Sequence, residues 1–271
     1  MHERISVHSI CFPGAGLREL AGLWRELDAR RVTLVSDLVL KEGVAALQAA
    51  LGTEGRKVEL IVHPFIPGRH LDAGPGCWPE ARHALGRVIE HAAALGARSI
   101  QLLTGGHGTL TWEQAAEAFR EAIAPCVAQA KRAGVALIVE NASALYADVN
   151  ITHTLRDVLT LSEIADVGAC VELFGCWVEP GLHETLARAI PRCGIVQICD
   201  YVYGDRSLPS RAVPGDGTIP LGRIIEWTLR AGYRGAFDLE LIGPRIDREG
   251  HVQAVRRAAD YVGGILRELG A

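Results

Sequence analysis

Several features that would assign this chain to a class at sight are missing from it. None of its seven cysteines stands in a C-x-x-C pair, so the sequence carries no zinc-ribbon or dithiol redox signature. No run of about 20 apolar residues is present, as a membrane-spanning helix requires. The opening stretch MHERISVHSI is charged and passes straight into a strand-like run, which is not the pattern of a cleavable leader. Basic excess is missing too: 28 Lys and Arg stand against 32 Asp and Glu, a formal net charge of −4, whereas a phosphate backbone calls for a basic face. There is no Pro/Ser-rich linker and no fixed-period repeat. The expectation is a cytoplasmic protein with one domain over residues 1–271, a small-molecule substrate, and neither nucleic acid nor membrane as partner. The odd cysteine count, with Cys11, Cys126, Cys170, Cys193 and Cys199 in apolar surroundings, fits buried free thiols in a reducing compartment.

What is present is enough apolar material for a large core, 49% of residues against 22% charged. It is arranged as short β-type runs alternating with amphipathic stretches. The strand-like runs are RISVHSICF (4–12), RVTLVSD (31–37), KVELIVHPF (57–65), SIQLLTG (99–105), VALIVEN (135–141), GACVELF (168–174), GIVQICDY (194–201) and AFDLELIG (236–243). They are continuous rather than alternating, as parallel strands covered on both faces are. Helices are predicted over 78–96, 111–134, about 154–163 and about 249–269, the first two ending at a glycine. Eight such units in 271 residues predict a single (β/α)8 barrel. A doubly wound open sheet is the alternative, but FPGAG (12–16) lacks the third glycine of a dinucleotide turn.

Three runs carry a glutamate near the C-terminal end, where a barrel keeps its active site. These are Glu140 in LIVE, Glu172 in ACVE and Glu240 in FDLE; Gln197 and Asp200 occupy the same part of the run between the last two. Two like charges about 4 Å apart cost ~4 kcal/mol at an effective dielectric of 20. A divalent cation, a retained proton or an arginine partner would each offset that cost. If Gln197 turns its carbonyl inward the ligands are all oxygen, which suits Mg²⁺ or Mn²⁺ better than Zn²⁺. Plain salt bridging at strand ends is the competing reading.

At these residues the chain resembles the xylose-isomerase-like TIM barrels, the sugar phosphate isomerase/epimerase superfamily, over nearly its whole length. VALIVEN resembles the family's fifth-strand E-N motif, CVELFGC its D-x-x-H segment, VQICDY its H-x-x-D segment, and VPGDGTIPL with FDLEL its closing segments. The resemblance implies a divalent metal, Mn or Mg, held by Glu140, Glu172, Gln197 and Glu240. It also implies proton transfer beside a carbonyl, with Glu140 and Glu240 as the acid/base pair. The ligand set is altered: Glu172 replaces an aspartate, Gln197 replaces the metal histidine, and the D-x-x-H histidine falls on Gly175.

Around this centre, His63 and His107 end the third run and follow the fourth, and His8 lies within the first. They are candidates to bind substrate, shuttle a proton or stand in for the missing histidine, against a reading as hydrogen-bonded core or loop residues. Trp177 is a candidate sugar platform, and Asp200 a candidate substrate-facing acid. Arg206 and Arg211 are candidate clamps for an anionic group, with Arg245 a weaker one. PGDG (214–217) offers backbone N–H groups where barrels bind phosphate. The expected activity is a metal-assisted isomerase or epimerase on a small polyhydroxylated carbonyl compound in carbohydrate metabolism. A dehydratase-type lyase and a non-catalytic binding barrel are the rivals; a multi-zinc nuclease would need more histidines in place. Barrels of this type often pair, so a homodimer stays open.

Overall fold

A strand with apolar residues on both faces needs cover on both sides, and the eight runs find it in a parallel ring. The structure, a computed structural model, describes residues 1–52 and 55–271. Among the described residues the strands are β1 (Ile5–His8), β2 (Arg31–Val35), β3 (Lys57–Pro64), β4 (Ser99–Leu103), β5 (Ala136–Glu140), β6 (Gly168–Glu172), β7 (Cys193–Ile198) and β8 (Phe237–Leu239). Each pairs with the next, and β1 also pairs with β8, so the sheet closes in sequence order. The fold is the expected (β/α)8 barrel, and the open sheet with its two free edges is set aside.

The outer layer holds α1 (Leu17–Glu26), α2 (Ser36–Leu51), α3 (Trp78–Leu95), α4 (Trp112–Ala133), α5 (Leu155–Ala165), α6 (Leu173–Cys176), α7 (Leu182–Ala189), α8 (Leu221–Arg230), α9 (Pro244–Glu249) and α10 (His251–Glu268). Local chemistry sets their ends. α4 starts on a capping box between Thr111 and Gln114, and α3 and α4 stop at Gly96 and Gly134 in the left-handed region. The helix predicted over about 249–269 begins only at His251, because Gly250 at φ 96° separates it from α9. Among the described residues no helix is long and apolar enough to cross a membrane.

Strand parity sorts the side chains, since successive residues point to opposite faces. The large core lies between ring and helices. Inside the ring, Leu60, Ile138, Cys170 and Ile195 form a small apolar plug with Val62 against it. Two residues beyond Ile138, Cys170 and Ile195 on the same faces come Glu140, Glu172 and Gln197. Glu172 pairs in register with Gln197, and Gln197 with Asp238. The predicted runs outlast several strands: β7 stops at Ile198 and β8 at Leu239, and the overhanging residues turn away to build the mouth.

Candidate active site

Glu140, Glu172, Gln197 and Glu240 all line one cavity of about 230 Å³ at the C-terminal mouth of the barrel, together with His8, Gln101 and Arg211. Glu140 and Glu172 close their strands. Glu240 stands just past β8, where its N–H donates to the Ile198 carbonyl at 3.2 Å. The backbone of Glu140 is fixed from behind: Thr152 Oγ1 and Asn150 Nδ2 both donate to its carbonyl, at 2.5 and 3.3 Å. Asn141 bridges to the next strand, donating to the Glu172 carbonyl at 2.8 Å and accepting from its N–H at 3.1 Å.

The charge in this pocket is offset by Arg211. Its Nη2 lies 3.0 Å from Glu240 Oε2 and 3.4 Å from Glu172 Oε1. The guanidinium carbon sits 5.0 Å from the centre of the Phe174 ring, a cation–π distance. The Arg211 side chain is only 9% exposed, and its Nε has no partner among the described residues. The surrounding loop is tied down, since Asp200 and Ala212 exchange hydrogen bonds of 2.9 and 2.8 Å and the Arg211 N–H donates to the Ile242 carbonyl at 3.2 Å.

Burial dominates the protonation of the acids. It pushes the Glu140 carboxyl well above the usual range; Glu240 and Glu172 push the same way, and Arg211 and a hydrogen bond from Gln101 pull back. The Glu172 carboxyl is pushed up to about 7, again mainly by burial, which Arg211 and two backbone amides only partly counter. Burial lowers the His8 imidazole to about 4, so it is neutral at pH 7. The Ile10 N–H donates to His8 Nδ1 at 3.0 Å, which leaves the ring proton on Nε2 and makes that atom a donor.

The other predicted residues disperse. His63 points out of the ring, its Nδ1 is 2.9 Å from Ser36 Oγ, and it lines a separate cavity with Asp37 and Phe65. His107 is half-buried, with Nδ1 3.0 Å from the Gly108 carbonyl, and does not line the acidic cavity. Trp177 packs on Tyr201 and Tyr203 at 6.3 and 6.2 Å, outside the cavity lining. Arg206 is exposed, and Arg245 makes two hydrogen bonds to Asp205, at 2.6 and 3.1 Å. Asp200 is buried but faces the loop: it accepts from the N–H groups of Tyr201, Gly215, Gly217 and Ile219 at 2.8–3.0 Å. Of the two arginines in that loop, only Arg211 reaches the acids. Sequence reasoning missed Gln101, Tyr146 and Phe174, which also line the cavity. Gln101 was there to be found, being an amide inside the apolar run SIQLL just as Gln197 is inside GIVQI.

The divalent metal implied by the resemblance does not fit this donor set. Glu172 turns back on its own chain, Oε1 accepting from the Phe174 N–H at 3.0 Å and Oε2 from the Gly175 N–H at 2.7 Å. Hydrogen bonds to a charged group are worth about 1.5–3 kcal/mol each, so turning Glu172 out of this conformation towards a cation is costly. Gln197 Oε1 accepts from the Cys170 thiol at 3.2 Å. The cation already present is a guanidinium. Among the described residues no group of three or more His, Cys, Asp and Glu has metal-holding geometry. Gly175 leaves no room for a returning histidine, because a Cβ there would lie 2.8 Å from Asn141 Nδ2 and 3.0 Å from Glu172 Oε2.

Fold and mouth together define the class, a (β/α)8 barrel with its acids gathered at the C-terminal ends of the strands. The chain belongs to the xylose isomerase-like TIM barrel family, whose profile matches residues 19–262. Solved structures share the fold. A protein from Sinorhizobium meliloti 1021 is 23% identical, with 98% of each chain covered and a TM-score of 0.83. The D-psicose 3-epimerase of Clostridium cellulolyticum H10, solved with D-tagatose, is 16% identical, with 97% of this chain and 99% of that one covered and a TM-score of 0.79. An IOLI protein with a bound zinc atom is 14% identical, with 98% and 99% covered and a TM-score of 0.82. At such identities the likeness is one of fold. No curated protein matches the chain.

Proposed function

We propose that this protein is an isomerase or epimerase that moves a proton at the carbon beside a carbonyl of a small sugar-like substrate. The observation that carries the reading is the convergence of Glu140 and Glu240 with Arg211 in one buried cavity. The two glutamates come from strands three places apart in the ring, so they reach a bound molecule from separate walls. Glu140, held protonated by burial, is the acid. Glu240, ion-paired to Arg211, is the carboxylate that takes the substrate proton. The electron pair of the broken C–H bond moves onto the carbonyl oxygen, Glu140 returns a proton to carbon, and the two glutamates exchange charge states. Arg211 and the neutral His8 are the donors available to the oxygen that becomes negative. Epimerases among the structural neighbours support the class of reaction.

The cavity also narrows the substrate. Ile10, Val35, Val62 and Leu103, from the β1–β4 half of the ring, line the same space as the acids, which come from the β5–β8 half. A molecule that fits presents one oxygen-bearing edge and one hydrocarbon face, as a deoxysugar or an alkyl-bearing hydroxyketone does. The unpaired cysteines support a reducing, cytoplasmic location.

Solvent-deuterium exchange on a panel of ketoses, deoxyketoses and hydroxyketones tests this. Exchange at a single carbon is expected, with deoxy compounds ahead of their fully hydroxylated analogues. Glu140→Gln and Glu240→Gln should each cut the rate about 10²–10⁴-fold, the usual reach of general acid–base catalysis. Exchange that survives both substitutions sinks the reading. Loss of water from the product would move it to the lyases.

A further inference from the structure

We propose that Arg211 is the resident cation of this pocket, and that the site binds the anionic oxygen of its ligand and transfers its proton with no divalent ion. The geometry supports this from three sides. Arg211 Nη2 is within 3.4 Å of carboxyl oxygens from two glutamates, the distances being 3.0 and 3.4 Å, so a positive charge already stands between two of the implied ligands. Two of the four implied ligands already accept hydrogen bonds that fix how they point: both Glu172 oxygens from backbone N–H groups, and Gln197 Oε1 from the Cys170 thiol. The guanidinium also keeps capacity in hand. A guanidinium has five N–H donors; Nη2 serves the glutamates, and Arg211 itself lines the cavity. An arginine held by Phe174, two carboxylates and its own loop is fixed before any ligand arrives. A donor fixed in advance favours a planar oxyanion such as an enediolate without reorganising.

The binding half of this inference stands alone; the proton-transfer half rests on the proposed function. The test uses the full chain, stripped of metal by chelator and dialysis, with Mn²⁺ and oxalate, a planar dianion, as probes. Titration calorimetry should find no saturable Mn²⁺ binding at millimolar metal. Oxalate should bind equally well with EDTA or with Mn²⁺ present. Arg211→Met should weaken oxalate binding about tenfold or more, the size of one charge-assisted hydrogen bond. Arg211→Lys, which keeps the charge but loses the fork, should fall between, and it covers the case in which Arg211→Met does not fold. Stoichiometric Mn²⁺ binding by the unaltered protein, oxalate binding only with Mn²⁺, or no oxalate binding at all would each overturn the inference. A protein that exchanges deuterium only when Mn²⁺ is added keeps the proposed function and loses this one. Failure of exchange on every substrate, with metal-free oxalate binding intact, does the reverse.

Discussion

His63 and Gln197 both interrupt apolar strands, yet they face opposite sides of the ring. The reason is parity. Gln197 follows Ile195 on the inner face of β7, while His63 follows Val62, which is itself an inner residue of β3. Leu60, Ile61 and Val62 are apolar on both faces, and the register shift that skips Glu59 breaks the alternation before them, so a polar residue following such a run cannot be assigned a side from sequence. The glutamates were legible because three of them stood at matching places in three strands. Arg206 and Arg211 were not separable, because a loop has no period to sort them. The outward placement of His63 has a consequence for stability. Burial lowers its imidazole from 6.5 to about 4. The unfolded chain therefore takes up a proton below pH 6.5 that the folded protein refuses until about pH 4. Stability from this group is complete above pH 6.5 and declines as pH drops towards 4, by at most about 3 kcal/mol. In urea titrations His63→Asn should gain on the unaltered protein steadily across that window. A gap that does not change with pH would refute the assignment. His8, depressed in the same way, contributes to both proteins and cancels.

At the level of elements, the most informative piece is the turn from β6 into α6. A glutamate there is long enough to fold back onto the N–H groups of Phe174 and Gly175, and it does so only because residue 175 has no side chain. A Cβ at this position would press on Asn141 Nδ2 at 2.8 Å and Glu172 Oε2 at 3.0 Å. Gly175→Ala should therefore cost about 1–3 kcal/mol, as overpacking of a filled site does, read as a lower urea midpoint. An unchanged midpoint would show that Glu172 swings away freely. The departures at 172 and 175, visible in sequence as two separate oddities, are one local rearrangement. That coupling was not legible, since hydrogen bonds from a side chain to its own turn leave no periodic trace. The strands were legible in place and order, because runs apolar on both faces suit few places other than a doubly covered parallel sheet, but not in length: the predicted runs pass the ends of β1 and β8 by four residues each.

For the molecule as a whole, eight alternations of strand and helix foretold closure, since a ring of this size leaves no edge exposed. The same burial governs its thiols. All seven cysteines are unpaired, and burial raises the Cys193 thiol to about 12 and those of Cys170, Cys176 and Cys199 well above their usual value. Thiolate is the reactive form, so the three buried thiols among them, Cys170, Cys176 and Cys199, should resist alkylation in the native protein and label fully in denaturant; rapid native labelling of any of these three would show that the barrel opens. The Asp200 carboxylate bears on which metabolites the barrel admits. It already occupies the loop amides of Gly215 and Gly217, so an esterified sugar finds those N–H groups taken where it would look for a cradle. Inorganic phosphate at millimolar concentration should leave the melting midpoint unmoved. If the proposed function holds, free compounds should turn over ahead of their phosphomonoesters, because the loop amides that would hold the ester are already filled by the protein's own side chain.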